Sequence, residues 1–109
     1  MRPDPQGIDE LVRRIVEAVH PLRIILFGSA ARGDMGPDSD VDVLVVVPEG
    51  THRRHTAQFL HTRFAGLGLS FGVDVIVATP EDLERYKDDI GFIYHTVLQE
   101  GKLIYATAA

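Results

Sequence analysis

The segment Val41–Val47, VDVLVVV, constrains the fold more than any other stretch of this chain. Apart from one aspartate it is an unbroken, β-branched apolar run, closed by Pro48 and Gly50. It reads as a strand that has to be buried. Two more runs can serve as its neighbours: Arg23–Phe27 (RIILF), between Pro21 and Gly28, and Val73–Ala78 (VDVIVA), just after Gly72.

Helical periodicity fills the intervals. Ile8, Leu11, Val12, Ile15, Val16 and Val19 follow an i, i+3, i+4, i+7 pattern that Pro21 ends. Ser29 can cap a short helix through Arg32, and Gly33, Gly36 and Pro37 break the chain into a loop before the second strand. Ala57, Leu60, Phe64 and Leu67 predict a helix over about 51–67, with Phe59 and Phe64 assigned to the core. Thr79-Pro80-Glu81-Asp82 carries the cap, first-turn proline and acidic first turn of another helix. Its apolar stripe runs through Leu83, Tyr86, Ile90, Ile93 and Val97, with a break near Gly91 and a stop at Gly101, and Leu103–Tyr105 adds a short edge strand. The order predicts an α/β (α+β) fold, a small mixed sheet of three to four strands packed with helices. At 109 residues and 45% hydrophobic, this is one domain spanning 1–109 with a modest core, ordered over about 7–105.

Composition excludes several function classes. With 16 acidic against 11 basic residues the net charge is -5, so no direct grip on the nucleic-acid backbone is expected. No cysteine is present, which removes disulfides, thiolate metal sites and thiol nucleophiles. MRPDPQG lacks the apolar core of a signal peptide and no run approaches the roughly 20 residues of a membrane span, so a cytoplasmic protein without membrane contact is expected.

Asp38, Asp40 and Asp42 alternate up to the mouth of the second strand. Successive strand side chains point to opposite faces, so Asp40 and Asp42 share one face while Val41, Val43 and Val45 share the other. Asp74 is the one charge in VDVIVA, and if the second and third strands are neighbours all three acids converge. Two like charges at 4 Å repel by about 4 kcal/mol at an effective dielectric near 20. Protonation or a hard divalent cation relieves that repulsion, and Mg2+ takes one or two carboxylates plus waters and phosphates. A calcium loop is the rival reading, since Asp38, Asp40 and Asp42 match its first acidic positions, but Val43 stands where that loop needs glycine. The plain alternative is solvated edge protection. Asp38 is assigned to the loop.

Gly28-Ser29 follows a strand and opens a helix, an arrangement in which backbone N–H groups favour an anion. The chain has neither a Walker lysine nor G-x-G-x-x-G. Arg32 can reach phosphate or pair with an acid to hold the loop. His52 and His55 could share a helix face, yet no third zinc ligand sits at a helpful spacing, so a solvated helix start is expected there, with Arg53 and Arg54 as candidates to touch a partner or nucleotide.

G-S-A-A-R-G, then S-D-V-D-V-L-V, then V-D-V-I-V resemble the nucleotidyltransferase superfamily that includes DNA polymerase beta, and I-Y-H-T-V-L-Q-E-G-K-L-I-Y resembles its minimal members. The resemblance implies the polymerase beta-like fold, with Gly28 and Ser29 at the triphosphate of ATP or another nucleoside triphosphate and Arg32 kept beside them as a nucleotide-binding candidate from its place in the loop. It implies Asp40, Asp42 and Asp74 as catalytic ligands of Mg2+, two ions in all, and transfer of a nucleoside monophosphate onto an acceptor hydroxyl. Larger relatives carry a further acceptor domain, whereas here only Ala-Thr-Ala-Ala follows Tyr105. The resemblance therefore implies an acceptor on another protein, a HEPN-type toxin, and an antitoxin role. A non-catalytic antitoxin or scaffold is the alternative, and a homo-oligomer is compatible with either.

Overall fold

The computed structural model describes residues 5–28, 40–68, 71–86 and 93–107. In chain order they form α1 (Pro5–Val19), β1 (Arg23–Phe27), β2 (Val41–Val46), α2 (Arg53–Ala65), β3 (Val73–Ala78), α3 (Pro80–Tyr86), α4 (Ile93–Glu100) and β4 (Lys102–Ala106). The short helix expected at 29–32 and the acid Asp38 lie outside the described residues.

The strands make one mixed sheet in the order β3-β2-β1-β4. β1 runs antiparallel to both β2 and β4, and β2 runs parallel to β3, with α2 as the crossover that a parallel pair requires. Strand alternation sends the β2 side chains into two cores. Val41, Val43, Val45 and Val47 pack with Leu11 and Ile15 of α1 and Leu60 and Phe64 of α2. Leu44 and Val46 pack on the other face with Ile25, Phe27, Leu83 and Val97. Because helices cover both faces, β2 needs apolar residues at every position, which is why its sequence does not alternate beyond Asp42.

The stripe after Thr79 divides, as expected, into two helices, α3 and α4, each supplying one large anchor, Leu83 and Val97, to the second core. Two expectations are adjusted. α1 begins at Pro5, upstream of the first apolar marker Ile8, because proline suits a first helical turn. Phe59 is not a core residue: Leu60 and Phe64 occupy the inward stripe of α2, so the position before Leu60 turns outward and is 46% exposed. There the Arg63 guanidinium lies 5.4 Å from the centroid of the Phe59 ring.

The C-terminal end of β3 is tied to α2 by a polar cluster. Asp82 Oδ2 accepts from the Thr79 N–H at 3.0 Å while Thr79 Oγ1 accepts from the Asp82 N–H at 3.3 Å, a reciprocal cap for α3. Arg53 Nη1 donates to both Asp82 carboxylate oxygens at 2.5 Å, linking the starts of α2 and α3. Burial alone would push the Asp82 carboxyl up, but the hydrogen bond from Arg53 and the Thr79 N–H together outweigh it and hold the group below its ordinary value. Among the described residues, no helix is long and apolar enough to cross a membrane.

Candidate active site

Parallel pairing sets the chemistry at the open end of the sheet. In the β2–β3 register Asp42 lies opposite Asp74, flanked by the pairs Val41–Val73 and Val43–Val75. Neighbouring strands lie about 4.8 Å apart and register partners in a parallel pair share a face, so these two carboxylates stand side by side. They occupy the face of Leu44, Val46 and Ile76, one step beyond the point where that core ends. Asp74 is exposed and Asp42 half-buried.

Asp42 is also the register partner of Phe27, the last residue of β1, which brings it against the strand-end glycine. Gly28 has φ 72°, a left-handed conformation that a side chain resists, and a Cβ there would collide with Asp42 Oδ2. Glycine is required twice over, by the turn and by the carboxylate seated on it. Ser29 and Arg32, the other expected triphosphate contacts, lie outside the described residues.

Asp40 stands immediately before β2 and is exposed. One step back along the parallel register from Val41–Val73 it faces Gly72, and a Cβ on Gly72 would collide with Asp40 Oδ1. The two carboxylates of the D-x-D pair are thus splayed, Asp42 toward the end of β1 and Asp40 toward the start of β3. Among the described residues no group of three His, Asp or Glu gathers closely enough to hold a metal ion. The donor chemistry still suits Mg2+. Asp42 and Asp74 are hard oxygen donors fixed by paired strands, and this ion needs only one or two protein carboxylates when substrate phosphates and water complete its shell.

Two clefts frame this end and its opposite. A cavity of about 310 Å3 beside Gly72 is lined by His61, Phe64, Phe71 and Val73. A larger one, about 550 Å3, lies at the far end of β2 and β3 among Glu49, Thr51, His52, Arg54 and Thr79. The paired carboxylates Asp42 and Asp74 stand at the end that holds the smaller cleft. At the far end His52 caps α2, its Nδ1 accepting from the His55 N–H at 3.2 Å with the two rings stacked at 3.8 Å. That is the solvated helix start expected from the sequence. The Gly72 contact and the Arg53–Asp82 link were missed there. The first had a signal, since G-V-D at 72–74 has the spacing of D-V-D at 40–42; the second had none, because its partners are 29 residues apart.

Residues 8–104 match the nucleotidyltransferase domain family. A Methanocaldococcus jannaschii protein with the provisional name protein adenylyltransferase is 40% identical over 84 residues, 76% of this chain and 77% of that protein. The crystal structure of a provisionally named nucleotidyltransferase from Sulfolobus solfataricus superposes with a TM-score of 0.61 at 23% identity, over 93% of this chain and 78% of that one. A chain of a toxin–antitoxin crystal structure with AMP-PNP superposes with a TM-score of 0.57 at 23% identity, over 94% of this chain and 73% of that one. The two superpositions establish a shared fold, and the family match with the 40% relative establishes kinship.

Proposed function

The chain belongs to the nucleotidyltransferase domain family, and from that premise we propose that it moves AMP from ATP onto a hydroxyl of a partner protein, as the antitoxin of a HEPN-type pair. The observation that carries the reading is the Asp42–Asp74 register, two carboxylates at the open end of adjacent strands with Gly28 packed beneath one of them. The substrate class draws on the relative named as a protein adenylyltransferase, and the partner on the toxin–antitoxin neighbour with AMP-PNP.

The acceptor oxygen attacks the α-phosphorus, the bond from that phosphorus to the bridging oxygen breaks, and pyrophosphate leaves with the electron pair. Gly28, with Ser29 and Arg32 beyond it, binds the triphosphate, since a chain without Cβ at this turn lets phosphate approach backbone N–H groups. Asp42, Asp74 and Asp40 would hold Mg2+ with substrate phosphates and water completing its shell, and the ion would supply charge neutralisation at the phosphates and activation of the acceptor. Asp74, the most exposed position of its strand end, takes up the acceptor proton. No covalent enzyme intermediate is needed, because positioning and electrostatics do most of the work in such transfers.

The test is to incubate the protein and its candidate partner with ATP labelled at the α-phosphate and Mg2+. Label should pass to the partner, and Asp42→Asn or Asp74→Asn should abolish transfer while circular dichroism stays unchanged. Full transfer by either variant would sink the reading. One observation favours a second reading, a binding module without turnover: the splay of Asp40 away from Asp42. Tight partner binding with ATP and Mg2+ present, yet no label moved, would select it.

A further inference from the structure

Among the described glycines that a side chain would crowd, Gly72 differs in what that side chain would disturb. At Gly28 an added methyl meets a positive φ as well as a carboxylate, and at Gly101 it meets the Val97 backbone carbonyl. At Gly72 no left-handed backbone is involved, and the first atom in the way is the Asp40 carboxylate oxygen, the free end of a side chain that can swing. The backbone there is otherwise secured, with Val41 N–H donating to the Gly72 carbonyl at 2.9 Å. An alanine therefore costs the fold little and displaces a carboxylate.

We propose that Gly72 is a positioning residue for Asp40: by lacking a Cβ it leaves the seat at the head of β3 in which the Asp40 carboxylate lies, and so fixes where that carboxylate meets Mg2+ and the nucleotide. The inference rests on the proposed function. β2 places Asp42 beside Asp74 through strand register, but Asp40 precedes the strand and has no register constraint on its side chain. The bare backbone of Gly72 supplies the constraint from outside. In the aligned strands, the positions 40 and 72 hold a carboxylate and a gap, whereas 42 and 74 hold two carboxylates. One pair is filled twice and the other once, which keeps three acids at this end from crowding one point.

The experiment is a Mg2+ titration of the binding of a non-hydrolysable ATP analogue, followed by fluorescence, for wild type, Gly72→Ala, Asp40→Ala and the double variant. Residues that orient a metal ligand typically change metal affinity by about 10–100-fold when lost, so Gly72→Ala should raise the half-saturating Mg2+ concentration by about tenfold or more with an unchanged melting temperature. In the Asp40→Ala background the same substitution should change nothing, because the carboxylate it displaces is gone. Gly66→Ala, where a methyl meets only an ordinary contact at 3.7 Å, should match wild type. An unshifted Gly72→Ala, or an equal shift with and without Asp40, would overturn the inference. If Gly72→Ala fails to fold, rescue by Asp40→Ala supports the seat and lack of rescue refutes it. Wild-type protein that binds no analogue at any Mg2+ concentration overturns the proposed function, and this inference with it.

Discussion

At Gly28 a single hydrogen atom in place of a methyl meets two demands, a backbone at φ 72° and the Asp42 carboxylate seated on its Cα. Gly28→Ala should cost about 1 kcal/mol or more from the positive φ alone and should also weaken nucleotide binding, measurable as a lower denaturation midpoint and a higher analogue Kd. Asp82 is a residue whose ionisation matters to folding. Its folded carboxyl titrates below its ordinary value of 3.8, so the stability it contributes is fully present above that value and lost as pH falls through the lower, folded one. Acid titration should thus show wild type and Asp82→Asn differing above pH 4 and converging as the acid end is approached; a gap that widens toward low pH would contradict the Arg53–Asp82 link. Arg53 itself is half-exposed, so its contribution is geometric tethering more than Coulomb energy.

At the scale of elements, β2 decides most of the packing. Its residues from Val43 through Val46, and Val47 just beyond it, are completely buried, split between the two faces. Leu44→Ala should therefore cost about 2–5 kcal/mol, read from urea unfolding, without touching the carboxylates two residues away on the same face. α2 offers a paired comparison. Phe64 is 8% exposed and Phe59 46%, so Phe64→Ala should cost about 3–5 kcal/mol while Phe59→Ala stays within about 0.5 kcal/mol. Periodicity placed Leu60 and Phe64 inward correctly, but an aromatic next to the stripe reads as core by composition alone. Only the rotation of α2 against the sheet assigns Phe59 to solvent, where Arg63 covers it.

For the whole molecule, binding to the folded state alone couples site to stability. With an ATP analogue and Mg2+ at 100 times Kd, linkage adds about 2.7 kcal/mol, which for a domain of this size is a rise in melting temperature of roughly 10 °C. Chelating the metal should remove most of that rise, and Asp42→Asn with Asp74→Asn should never show it; an equal rise in the double variant would place the site elsewhere. Much of the molecule was legible beforehand. The strands β1, β2 and β3, the helices α1 and α2, the D-x-D pair and the glycine turn follow from local causes: β-branched runs, 3.6-residue periodicity, proline and glycine at fixed offsets. Sequence by itself determined these elements and the residue types at the site, because each depends on neighbours within a few positions. The tertiary structure decided what depends on distant partners. Which strand lies beside β2, and in what register, puts Asp74 opposite Asp42 rather than opposite a valine, and a shift of one residue would send it to the other core. The same register leaves Gly72 opposite Asp40, a contact between residues far apart in the chain that forms only when β2 and β3 align.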